Sequence, residues 1–219
     1  MRQMELSGSV SAHFGSACRL ALLWIGCLSA MVATSPPAAT QGVTSDEGPW
    51  LAGAYSFSDE LGGFRIRSAT GKGTKADPIV IGEELYSASP VTLVMRATKP
   101  VRAFDFSGEY ANGFLYMRLR VMNASELGWV EFEFELQEIL GEPSLFGDGL
   151  SFDQRRGDAE AISSDSFTHF DRDFEPYDRL LFTNGKIDPR RIGTFGFLIT
   201  DYTPNRTFYL VQNPRIPST

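Results

Sequence analysis

Beyond position 27 the chain has no cysteine, and beyond position 13 it has a single histidine, His169. Both cysteines, Cys18 and Cys27, fall in an apolar N-terminal segment. A chain processed beyond them holds no disulfide, no thiolate nucleophile and no cysteine-ligated zinc. With His169 alone, a site of two or three histidines is excluded within one chain, and any Ser–His–acid triad has to use it. No G-x-S-x-G elbow accompanies it; Ser151 follows Gly149 but lacks the second glycine. Gly71-Lys72-Gly73-Thr74 has the parts of a phosphate loop without its spacing, and a β-turn is the better reading. Positive charge is short as well. The 20 Lys+Arg face 27 Asp+Glu, for a net charge of -7, which argues against nucleic acid or an anionic membrane as partner. Helical periodicity is also lacking, so helix is expected to be minor.

What is present begins with an export signal. Arg2 and Arg19 precede an uncharged run, Leu20–Val32, of about 13 residues, where a membrane span needs about 20. Small residues follow, with cleavage expected after Thr34 or Thr40. An uncleaved signal anchor is the alternative, as is lipidation at Cys27, although Trp24 stands where a lipoprotein box has leucine. Residues 1–34 are thus expected to be a signal peptide and 35–49 a flexible linker rich in Pro, Ser, Thr and Ala. No later stretch is long and apolar enough to anchor the chain. The mature product is expected to be soluble, periplasmic or secreted, with no membrane span.

From Trp50 the pattern changes to short bursts of aromatic and β-branched residues. Gly, Pro, Asn and Asp punctuate them about every ten residues, the mark of an all-β domain. Val130–Leu136 alternates strictly: Phe132, Phe134 and Leu136 point one way, and Glu131, Glu133 and Glu135 the other. Leu115–Val121 alternates too, with Arg118 and Arg120 on its wet side. The expectation is an antiparallel hairpin across the Asn123–Gly128 loop, with Leu119 facing Phe132, Arg120 facing Glu131 and Arg118 facing Glu133. Further strands are expected at Phe64–Arg67, Ile79–Ile81, Val91–Arg96, Val101–Phe106, Leu180–Phe182, Thr194–Thr200 and Thr207–Val211. The last two would form a hairpin around Asp201–Arg206. Together these predict one domain over residues 50–215, an antiparallel β-sandwich of immunoglobulin-like or jelly-roll type. A chain of this size buries about 70% of its unfolded surface, enough to fold without disulfides.

Four stretches carry a resemblance: GTKADPIVIGEE (Gly73–Glu84), ELQEILGEPSLFGDGLSFDQ (Glu135–Gln154), EPYDRLLFTNGKI (Glu175–Ile187) and FGFLITDYTPNRTFYLVQNPR (Phe195–Arg215). Together they resemble an uncharacterised group of exported bacterial β-sandwich proteins. In part they are also similar to secreted bacterial proteins with a C-terminal sorting anchor, which is absent here. The resemblance implies export and a β-rich domain; it implies no activity and no site residues.

Three groups of residues remain as candidates for chemistry. Asp171, Asp173 and Glu175, at alternate positions of the acidic segment Asp165–Asp178, suit a hard cation such as calcium if that segment is an extended loop. Asp148 and Asp153 could add oxygens, while Arg172 and Arg179 offer the competing reading of plain ion pairs. The Glu131, Glu133 and Glu135 row has the residue types of a glycan hydrolase, but arginine partners would tie it up on a solvated face. Finally Phe114, Tyr116, Trp129, Tyr202 and Tyr209 are candidates for a surface that stacks on sugars or anchors a protein, unless they complete the core. The expected function is a non-catalytic, exported β-sandwich with a binding or structural role at the bacterial cell envelope, its partner an envelope protein or a glycan. The alternatives are a calcium-dependent glycan-binding module and, behind it, a carboxylate-based glycan hydrolase.

Overall fold

A computed structural model describes residues 48–153, 161–173 and 176–217. The expected signal peptide, nearly all of the expected linker, Cys27 and Glu175 lie outside these residues. The described residues form two β-sheets packed face to face, with no α-helix and with a short 3₁₀ turn at Phe146–Asp148. The strands in chain order are β1 (Trp50–Ala52), β2 (Tyr55–Ser58), β3 (Phe64–Thr70), β4 (Ile79–Leu85), β5 (Val91–Ala97), β6 (Phe114–Asn123) and β7 (Glu131–Gln137). They continue with β8 (Leu150–Phe152), β9 (Ser163–Ser164), β10 (Phe167–Asp173), β11 (Arg179–Gly185), β12 (Ile192–Asp201) and β13 (Thr207–Arg215). One sheet has the order β1-β2-β5-β13-β7-β11-β10; the other runs β3-β4-β6-β12-β8, with β9 also on β12. All pairings are antiparallel except β4 with β6, which is parallel. The expected β-sandwich is therefore what these residues build.

The period-2 alternation holds where it was read. Leu119, Phe132, Phe134 and Leu136 are fully buried and Met117 nearly so, while Arg118 and Arg120 are exposed. The hairpin drawn from it does not form. β6 pairs with β4 and β12 in one sheet, and β7 with β11 and β13 in the other. The chain arches across the core instead of doubling back beside itself. Asn123 makes the arch. Its buried amide nitrogen donates to the Leu127 carbonyl (2.8 Å) and the Ile187 carbonyl (2.9 Å), and its oxygen accepts from the Ser125 amide (3.0 Å) and hydroxyl (2.6 Å). A loop whose polar side chain is enclosed in this way turns inward between the layers. The glutamates of β7 find other arginines: Arg215 bonds Glu131 (3.3 Å) and Glu133 (2.6 Å), and Arg179 bonds Glu135 (2.6 Å).

The expected C-terminal hairpin fails in the same way, since β12 and β13 belong to opposite sheets. Val101–Phe106 is not a strand; only Val101 makes an isolated bridge, to Ala111. Conversely, part of the acidic segment is no loop. Phe167–Asp173 is an edge strand, with His169, Asp171 and Asp173 directed to solvent. Charged side chains on an edge discourage pairing with another chain.

The two layers are joined by rings. Phe132 and Phe134 of β7 and Phe182 of β11 meet Phe195 and Phe197 of β12 at centroid distances of 4.7 Å (Phe132–Phe195), 5.1 Å (Phe134–Phe197) and 5.0 Å (Phe182–Phe195). Trp129 packs on Phe132 at 5.8 Å and is wholly buried. One polar contact also crosses the core: Gln212 Nε2 of β13 donates to Glu83 Oε2 of β4 (3.0 Å). Phe134→Ala should destabilise the domain by about 3–5 kcal/mol, read by denaturant unfolding. In double-mutant cycles, Glu133 should couple to Arg215 by about 0.2–1 kcal/mol and to Arg118 not at all. A measurable Glu133–Arg118 coupling would restore the hairpin.

Candidate functional site

The β1–β2 and β3–β4 turns, the end of β5, the start of β6 and the β12–β13 loop converge at one end of the sandwich. There the β5–β6 connection, residues 98–113, leaves the sheets and is pinned back by its own polar groups. Arg102 N donates to Ala111 O (2.9 Å), Asn112 Nδ2 to Asp105 O (3.0 Å), and Ser107 N to Asp105 Oδ1 (3.0 Å). Arg102 also stands 4.0 Å over the Tyr110 ring, a cation–π contact. So fixed, the loop carries Phe104 and Phe106 outward, 57% and 73% exposed. Phe104 stacks on Tyr202 of the β12–β13 loop at 5.5 Å, and both Phe104 and Phe106 lean on Phe114 at 5.7 and 5.6 Å. Phe104 holds a left-handed backbone, φ +62°, at a cost of about 1–3 kcal/mol for a residue with a side chain. The ring contacts offset part of that cost.

Beside these rings lies a cleft of about 460 Å³, lined by Tyr55, Lys72, Lys99, Phe106, Tyr110 and Phe114 among others. Its floor is rigid. The Tyr55 hydroxyl donates to Asn112 O (2.7 Å), and the Asp201 amide donates to Gly113 O (2.8 Å). A Cβ at Gly113 would lie 1.8 Å from the Asp201 carbonyl oxygen, so only glycine allows the approach. The opposite rim is the β3–β4 turn. In it the amides of Lys72, Gly73 and Thr74 all donate to Asp77 O, at 3.1, 2.9 and 3.1 Å. Those N–H groups point at a carbonyl of the chain itself, so the turn is no cradle for phosphate.

Behind Tyr202 three strand ends gather acids. Asp178 is buried and accepts from the Ser151 hydroxyl (2.7 Å); burial, with Asp148 and Asp173 nearby, raises its pKa to about 7. Asp201 accepts from the Thr203 amide (3.0 Å), and burial raises it to about 6. Within the core, burial raises Glu83 to about 8. At neutral pH Glu83 is therefore largely a neutral acid beside the Gln212 amide, which suits a site with no cation.

The sequence-derived candidates sort as follows. Phe114 and Tyr202 belong to the exposed ring cluster. Trp129 is buried in the core, a correction that follows from the arch carrying it inward. Tyr116 and Tyr209 lie half-buried on different sheets, and neither is among the residues lining the cleft. Asp171 and Asp173 stand at alternate positions of β10, about 7 Å apart along the strand. Asp171 contacts His169 Nε2 (3.3 Å), and among the described residues no three Asp, Glu, His or Cys side chains are grouped to hold a metal. Asp153 pairs with Arg172 (3.7 Å), and Asp148 accepts from the amides of Leu145 (2.8 Å) and Leu150 (3.0 Å). Phe104 and Phe106 were missed as site residues. A signal was present: as a strand, Val101–Phe106 would set Arg102 on the same face as both phenylalanines, leaving no dry side.

No family model, no curated protein and no solved structure matches this chain. The raised carboxyls make a test of the site's electrostatics. Each binds its proton more tightly folded than unfolded, so their contribution is complete below about pH 4 and is lost as pH rises through 6, 7 and 8. Thermal unfolding should show higher stability near pH 5 than near pH 8, and Asp178→Asn, Asp201→Asn and Glu83→Gln should together flatten that slope. Acids with lowered pKa, such as Glu60, held by Arg96, act in the opposite direction at lower pH.

Proposed function

We propose that this chain is an exported, non-catalytic β-sandwich protein that binds a glycan at the bacterial cell envelope, using the ring-walled cleft. The observation that carries the reading is the contiguous cluster of Phe104, Phe106, Phe114 and Tyr202, two of whose rings lie mostly in solvent at a fixed loop end. Exposed apolar rings cost free energy in water and need a reason. Held in a strained, hydrogen-bonded loop, they offer flat faces for the C–H side of a sugar ring. The cleft beside them supplies hydroxyl, amide and ammonium groups for its hydroxyls. Export is supported by the leader and by the resemblance to exported bacterial proteins; periplasmic or secreted location follows from it. No helix among the described residues is long and apolar enough to cross a membrane.

A binding role also fits how the candidate catalytic groups are engaged. Glu131, Glu133 and Glu135 are ion-paired along an open sheet face, far from any cleft geometry in which two carboxylates flank a bond. His169 lies on the edge strand with Asp171, with no serine bonded to it among the described residues.

In affinity gels containing a panel of envelope and plant polysaccharides, the chain should be retarded by at least one. Phe106→Ala should weaken that binding roughly 3- to 10-fold without lowering the melting temperature, and Phe104→Ala should weaken it similarly with a small loss of melting temperature, since its ring contacts no longer offset the backbone strain. Retention by no polysaccharide, or retention indifferent to both variants, overturns the reading.

A further inference from the structure

The cations of this protein are unevenly engaged. On the sheet faces several arginines are matched to carboxylates: Arg67 with Glu84, Arg96 with Glu60, Arg179 with Glu135, and Arg215 with Glu131 and Glu133. Arg118 and Arg120 of β6 stand exposed on the sheet face, and neither is among the residues lining the cleft. Lys72 and Lys99 differ. Both line the cleft, both are exposed, and neither has a carboxylate partner among the described residues. No Asp or Glu is among the residues lining the cleft, in a chain whose net charge is -7. Of the loop acids, Asp105 is occupied by Ser107 and Arg102, and Glu109, between Gly108 and Tyr110, is exposed and not among the lining residues.

Both lysines are also held in place. Lys99 Nζ donates to Gly108 O (2.6 Å), fixing the ammonium at the mouth and leaving two of its three hydrogens to donate. The Lys72 backbone is clamped from both sides. Its amide is bonded to Asp77 O, and its carbonyl packs so tightly on Gly53 that a Cβ there would come within 2.9 Å. One fixed ammonium, that of Lys99, and a second on the anchored Lys72 backbone, neither neutralised among the described residues, are complementary to a ligand with a flat apolar face and a sparse negative charge. A dense polyanion would meet the repulsion of the acidic remainder of the molecule.

From this we infer that the cleft takes a uronate-bearing glycan, its sugar face on Phe106 and Phe114 and its carboxylate bridged by Lys72 and Lys99. The inference rests on the glycan-binding reading and names the class of sugar.

The test compares oligosaccharides that carry one uronate (galacturonate, glucuronate or mannuronate) among neutral sugars with the same oligosaccharides after reduction of that carboxyl group, by calorimetry on the full chain. At least one acid should bind about tenfold or more tightly than its reduced counterpart, and Lys72→Gln should remove the difference, a charge-assisted hydrogen bond being of this order. Lys99→Gln should act likewise, while Lys99→Arg, which keeps the charge, should retain most of the preference. Melting curves establish that each variant is folded. Equal binding of acid and reduced forms, still lost in Phe106→Ala, overturns the inference and leaves the glycan reading standing. Binding of neither form overturns the inference, and the glycan reading then stands or falls on the polysaccharide panel.

Discussion

The contact between Phe132 and Phe134 on one sheet and Phe195 and Phe197 on the other is the constraint on which the remaining architecture depends. These rings fill the gap between the layers at centroid distances of 4.7 to 5.1 Å, and they are buried. Without disulfide or metal among the described residues, area of this kind has to hold the sheets together. Because β7 and β12 must face each other, the strands beside them are sorted into layers. β6 joins β12, and β13 and β11 flank β7. The long connections then cross from layer to layer as arches.

Alternation along β6 and β7 was legible from the residues alone, because an apolar side chain at every second position has one low-energy direction. Pairing was not. A dry face says nothing about which backbone lies at either edge, and the charges on the wet face were degenerate. Glu133 meets Arg215 as readily as it would meet Arg118. What broke the tie was the enclosed amide of Asn123, whose four hydrogen bonds reach residues as distant as Ile187. A contact across that separation has no local signature. The same holds for the edge strand β10. Its acids looked like a loop or a cation site until pairing with β11 put them at a rim where charge protects against aggregation.

The candidate site shows the same division more sharply. Phe114 and Tyr202 were picked out as exposed rings, but their neighbours Phe104 and Phe106 were assigned to a strand. Strand order brings residues 72, 99, 106 and 202 to one end, since β3, β5 and β12 all finish there and β6 starts there. The local mixture of aromatic, charged and turn residues in 98–113 could not disclose that it would be braced into a wall. That bracing comes from Asn112, Asp105 and Lys99 acting across the loop.

By itself the sequence determined the all-β class, the dry faces of the strands, the start of strand structure at Trp50 and, from that residue onward, a composition with no cysteine and one histidine. Each of these is a property of single residues or of neighbours two apart, where solvation alone decides. The tertiary structure decided which strands pair, which aromatics are core and which are surface, and where the unpaired lysines meet the exposed rings. Those outcomes depend on contacts between segments tens of residues apart. They are selected by the joint packing of both layers, with no local preference strong enough to announce them.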